Sequence, residues 1–130
     1  MRKAFTLLEV LMAIGMVGVA ILGLVGVYIS GLKLVAQGRD RTAATDLARQ
    51  TVEGIKDLPW DQLPPTTTTF AGGPRVGSFP PPPYPTPKLN NMEYRVVVEV
   101  VADDPHLRTI TVRVRWGARH EVVLATLLSE

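Results

Sequence analysis

Phe5-Thr6-Leu7-Leu8-Glu9-Val10-Leu11-Met12-Ala13-Ile14-Gly15-Met16-Val17-Gly18-Val19-Ala20-Ile21-Leu22-Gly23-Leu24-Val25-Gly26-Val27-Tyr28 carries a single charge, Glu9. From Val10 to Ile29 there are 20 residues with none. As helix that stretch is about 30 Å long, the thickness of a bilayer's hydrocarbon core. A cleavable secretory signal has an apolar region of only about 7–15 residues and a small-residue site after it; this stretch is longer and runs on into helix-compatible sequence. It reads as a single-pass membrane anchor. The short basic head before it, Met1-Arg2-Lys3-Ala4, keeps the N-terminal end in the cytoplasm and sends the C-terminal part outward, by the positive-inside bias.

Working outward, Ser30 to Asp57 turns amphipathic. Ala44, Leu47, Ala48, Val52 and Ile55 follow helical spacing, with Arg49, Glu53 and Lys56 between them. The anchor is therefore expected to continue into a second helical half, giving about 80 Å of helix from Phe5 to Asp57, stopped by Pro59. Residues 59–89 are a loop by composition: Pro64-Pro65, the Thr66–Thr69 run, Gly72-Gly73 and Pro80–Pro83. A solvated partner-binding loop and a spacer packed across the sheet both fit that composition, and the spacer is favoured, because proline content carries no recognition code. Residues 90–130 alternate with a period of two. Tyr94, Val96, Val98 and Val100 form one apolar row, Ile110, Val112, Val114 and Trp116 a second, and Val122, Leu124, Thr126 and Leu128 a third. The expected fold class is α+β, a long N-terminal helix on a small antiparallel sheet of three strands.

In 130 residues there is room for one small globular domain beside the anchor. Cysteine is absent, which excludes disulfides, thiolate metal sites and thiol catalysis. The 14 basic residues face 12 acidic ones, and losing Arg2 and Lys3 would leave 12 against 12. No catalytic constellation stands out, so no enzyme, cofactor or metal is expected. His106 and His120 sit at strand ends without a cluster of ligands, and Asp103-Asp104-Pro105 is turn chemistry.

Glu9 is what a plain anchor does not explain, since a carboxylate in a membrane helix costs about 2.5–3.5 kcal/mol at the helix centre and marks function. The whole stretch from Lys3 to Tyr28 resembles the cleavage-and-methylation signal of type IV prepilins and of type II secretion pseudopilins. The resemblance is close over Lys3–Leu34 and looser to about residue 58. It implies the type IV pilin fold and trimming on the cytoplasmic face by a prepilin peptidase, between Ala4 and Phe5. Phe5 then becomes the N-methylated end and Glu9 the glutamate that serves assembly. The family usually has Gly before the cut; Ala4 is also small, and slower processing at worst is expected. Many major pilins have a proline in the apolar stretch and this chain has none there. Ile21–Val27 looks more like minor pilins of the pilus-modification type and minor pseudopilins. The implied partners are other pilin or pseudopilin subunits, the peptidase, the inner-membrane assembly platform, and membrane lipid before assembly. The implied location is the inner membrane with the head in the periplasm or outside, then the filament. Pilus, type II secretion and competence filaments stay open, as does an untrimmed anchored sensor or binding module. Arg113, Arg115 and Arg119, with Arg95 across the sheet, are candidate contacts for DNA phosphates; pairing with Glu93, Glu99 and Glu121 on a solvated face is the favoured reading.

Overall fold

A computed structural model describes residues 6–130. Helix α1 runs from Leu7 to Lys56, 50 residues without a break. Its start is built by Thr6, whose Oγ1 accepts the Glu9 N–H at 3.3 Å and whose carbonyl accepts the N–H of Glu9 and Val10. Thr6-Leu7-Leu8-Glu9 thus has the spacing of a capping box, with an acidic residue where the helix dipole favours one. Lys56 occupies the last turn, where the opposite charge belongs. Asp57 and Leu58 finish the helix with bonds to Glu53 and Ile55 carbonyls, ahead of Pro59.

The chain divides into two compact units, one through Arg39 and one from Asp40 to Glu130. In the second, α1 buries Ala44, Leu47, Ala48, Thr51, Val52 and Ile55, an i, i+3, i+4, i+7 stripe that faces the sheet. Thr51 enters that stripe by donating its hydroxyl to the Leu47 carbonyl at 2.8 Å; arginine, glutamate and lysine stay on the wet side.

The sheet has five strands: β1 (Thr68–Phe70), β2 (Lys88–Leu89), β3 (Met92–Asp104), β4 (Leu107–Trp116) and β5 (His120–Ser129). All pairings are antiparallel in the order β1-β3-β4-β5, with β2 beside the start of β3. The register puts Tyr94 opposite Trp116, Val98 opposite Val112 and Val112 opposite Leu124. One face is therefore lined by Tyr94, Val96, Val98, Val100, Ile110, Val112 and Val114, all fully buried against α1.

The α+β class is as expected and the strand count is not: five strands replace three. The extra two come from residues read as loop. Thr68–Phe70 lies against Val98–Val100, and Lys88-Leu89 turns back into β3 through Asn90 and Asn91, both at positive φ, a two-residue hairpin that asparagine tolerates. A 3₁₀ turn at Trp60–Gln62 follows the helix.

The proline-rich segment between β1 and β2 is folded. Phe79, Pro80, Pro81 and Tyr84 are buried, and Phe70 meets Phe79 and Tyr84 edge-on at 5.1 and 6.4 Å between ring centres. The Tyr84 hydroxyl accepts the Gly72 N–H and donates to the Gly73 carbonyl, both at 2.9 Å. Downstream, the Pro85 and Pro87 carbonyls accept the N–H groups of Val96 and Tyr94, so the segment also straps the edge of β3. Gly54 of α1 lets Pro81 approach; a Cβ there would sit 3.2 Å from Pro81 Cγ.

Arg108 occupies an inward position of β4 and is 8% exposed. Its Nη1 donates to the Leu63 carbonyl at 2.9 Å and its guanidinium lies 4.5 Å from the centre of the Trp60 ring. This ties the 3₁₀ turn to the sheet. Arg108→Met is expected to cost about 2–3 kcal/mol, from a charged hydrogen bond and a cation–π contact. Urea denaturation followed by Trp60 fluorescence checks it.

Candidate functional site: the apolar helix and the polar sheet face

Every large apolar side chain from Leu7 to Val35 is exposed, from 45% at Val10 to 80% at Leu7. Water is a poor solvent for such a surface, which costs about 25 cal/mol per Å² left wet. This one helix is long and apolar enough to cross a membrane. Ser30 is suited to that setting, since it turns its hydroxyl back onto the Gly26 carbonyl at 2.9 Å and so does not present an unpaired donor to lipid. Gly15, Gly18, Gly23, Gly26 and Gly31 have no atom from elsewhere in the described chain within 4 Å of a built Cβ. Among the described residues of one chain their smallness serves no contact with another element.

Glu9 is exposed in the first turn of α1. The cap observed there is made by Thr6 on the backbone N–H of Glu9, a bond that does not use the Glu9 carboxylate. Arg2, Lys3, Ala4 and Phe5, the leader and cleavage residues of the resemblance, lie outside the described residues.

On the sheet face away from α1, Arg95 stands opposite Arg115, and Arg115 opposite Glu121. Arg115 Nε bonds Glu121 at 2.7 Å, and Arg113 Nη2 lies 3.5 Å from Glu99. Arg119 is exposed in the β4–β5 turn, beside Gly117 at φ 60°. The register brings Arg95, Arg113 and Arg115 onto one face, where Arg113 and Arg115 each hold a carboxylate. Such half-exposed pairs contribute about 0–1 kcal/mol, so Arg113→Ala/Arg115→Ala is expected to leave the denaturation midpoint nearly unchanged. It is also expected to leave DNA retention at low salt no different from wild type, checked by filter binding. A wild-type-only, steeply salt-dependent affinity would instead make these arginines phosphate contacts.

The histidines are apart. His106 Nδ1 is 2.7 Å from Glu130, and His120 stacks on Trp116 at 5.5 Å. Among the described residues no group of three or more His, Asp or Glu is placed to hold a metal. A cavity of about 490 Å³ beside Phe70 and Phe79 has Asp61 as its one ionisable wall residue, which offers no acid–base pair. No protein-family model, curated protein or solved structure matches this chain. The long apolar N-terminal helix on an antiparallel sheet is compatible with a pilin-like architecture.

Proposed function

We propose that this chain is a structural subunit of a type IV pilus-type filament, a minor pilin or pseudopilin that is inserted in the inner membrane, trimmed between Ala4 and Phe5, N-methylated and assembled. The single observation that carries the reading is the uninterrupted helix Leu7–Lys56, whose first half exposes its apolar side chains around one carboxylate while its last turns are buried against a sheet. Such a helix has two solvents in sequence. Lipid covers the apolar half before assembly, and the same half of neighbouring copies covers it afterwards, with the glycines allowing close approach. Glu9 then has a partner, because trimming frees a cationic amine at Phe5 and a charge in a low-dielectric bundle needs an opposite one.

The reading makes no use of catalysis; its partners are other subunits, the peptidase and the assembly platform. Type II secretion is the alternative setting for the same chemistry. The test is cellular. In the native host the protein is expected in the sheared filament fraction, or in filaments formed by an overexpressed secretion system. Deleting the prepilin peptidase is expected to hold all of it in the inner membrane. Identical distribution with and without the peptidase would contradict the proposal and favour an untrimmed anchored module.

A further inference from the structure

The cavity of about 490 Å³ beside Phe70 and Phe79 lies wholly within the unit Asp40–Glu130 and is in the size range of small-ligand sites. Its lining is largely apolar: Leu63, Phe70 and Phe79 are buried, and Val76 is 70% exposed. Its two sides are held by bonds of the chain itself. On one, Arg108 Nη1 bonds the Leu63 carbonyl just after the 3₁₀ turn Trp60–Gln62. On the other, Val76 and Phe79 exchange backbone hydrogen bonds of 2.8 and 3.1 Å around Gly77, at φ 63°. Arg75 beside them donates to the Tyr84 carbonyl at 2.9 Å. Such a site is formed before a ligand arrives. Its charge is of one sign. Asp61 is the single ionisable wall residue, while Gln62, Thr66, Thr68 and Ser78 are uncharged. Among the described residues no hydrogen bond or ion pair reaches the Asp61 carboxylate.

We propose that this cavity binds a compact organic cation, with an apolar body against Leu63, Phe70 and Val76 and one ammonium group at the Asp61 carboxylate. The sign of the charge follows from the wall. An anion meets Asp61 as a like charge. A neutral apolar molecule takes water from the carboxylate and returns nothing, which costs free energy. An ammonium group replaces that water with a charge-assisted hydrogen bond. The apolar body follows from the rest of the lining, because covering Val76 and its neighbours removes apolar surface from water. The same chemistry is offered by a free arylalkyl amine and by a lysine side chain on another protein, and the experiment separates the two. The inference rests on the head alone and draws on neither anchorage nor trimming.

The experiment titrates the full-length chain in phosphatidylcholine nanodiscs by calorimetry, with empty nanodiscs as the reference. The probes are phenethylammonium, its neutral counterpart phenylethanol and the anion phenylacetate. Saturable binding of phenethylammonium is expected, about fivefold or more tighter than phenylethanol, with phenylacetate weakest. Asp61→Asn is expected to erase the advantage of the cation, with an unchanged urea midpoint showing that the variant is folded. Asp57→Asn, at an exposed carboxylate outside the cavity, is expected to keep it. The peptide acetyl-Leu-Lys-Leu-amide identifies the source: binding tighter than phenethylammonium assigns the site to a lysine of another chain, and weaker binding assigns it to a free amine. No saturable binding of either cation would overturn the proposal. So would phenylethanol binding as tightly as phenethylammonium to the wild-type chain, a comparison that needs no variant, or an advantage of the cation that survives Asp61→Asn. None of these results bears on the filament proposal, which a separate measurement decides.

Discussion

Glu9→Leu and Glu9→Gln are expected to block filament entry alike, leaving insertion and trimming intact. The pair of substitutions separates two roles that Glu9 combines. As the third residue of the helix it has the spacing from Thr6 of a capping box, of which the Thr6 Oγ1 to Glu9 N–H bond is formed, and glutamine suits that position nearly as well as glutamate. As the counter-charge to a neighbour's N-terminal amine it must be ionised, and glutamine cannot replace it. Leaving a buried charge unpaired costs about 3–5 kcal/mol, which is two to four orders of magnitude in an incorporation equilibrium. Carbonate extraction should show both variants in the membrane, mass analysis should show both trimmed, and the sheared fraction should lose them by about a hundredfold or more. If Glu9→Gln entered filaments normally while Glu9→Leu did not, a polar side chain at position 9, and not its charge, would be the whole requirement.

Tyr84→Ala is expected to remove about 3–5 kcal/mol of stability, the range for deleting a buried aromatic ring. That is a large share of the total of about 5–15 kcal/mol for a small domain. Tyr84 is 2% exposed. It packs edge-on against Phe70, and its hydroxyl bridges Gly72 and Gly73 while its carbonyl accepts from Arg75 at 2.9 Å. Without the ring the proline-rich segment loses its hold on Phe70 and β1, and the strap along β3 loosens. Tyr84→Phe keeps the ring and is expected to cost only about 1 kcal/mol, the worth of an ordinary hydrogen bond. Urea denaturation measures both, and protease sensitivity near Gly72-Gly73 should rise in the alanine variant alone.

The parts of the fold that were legible are those with a local period. Ala44, Leu47, Ala48, Val52 and Ile55 announce a helix face, and the valine rows at 94–101 and 110–116 announce strands, because each pattern repeats within a few residues. What was illegible depended on distant partners. Thr66–Thr69 reads as a polar run, and only its register against Val98–Val100 makes a strand of Thr68–Phe70. Asn90-Asn91 was a readable turn pair, yet the flanking strand Lys88-Leu89 is two residues long and has no pattern of its own. Arg108 occupies the inward register by simple alternation with Ile110 and Val112; its acceptor on Leu63 lies 45 residues away and leaves no trace in the sequence. The proline-rich segment shows the limit of composition most plainly, since the same residues describe a solvated tether and the packed cluster of Phe70, Phe79 and Tyr84.

For the candidate site the residues were readable and the reason for one of them was incomplete. Glu9 stands out as a charge before an apolar helix, and Thr6 three residues earlier carried a second explanation. The arginine face was also readable, because period two places Arg113 and Arg115 together. Their neutralisation by Glu99 and Glu121 required the pairing of β3, β4 and β5.

The most direct measurement is the intact mass of the N-terminal peptide of the protein purified from its native host with the peptidase present. The expected peptide starts at Phe5 and carries one added methyl group on its amine. A peptide that still begins Met1-Arg2-Lys3-Ala4 would contradict the proposal, since without a freed amine Glu9 has no charge to neutralise and the apolar helix is only a tether.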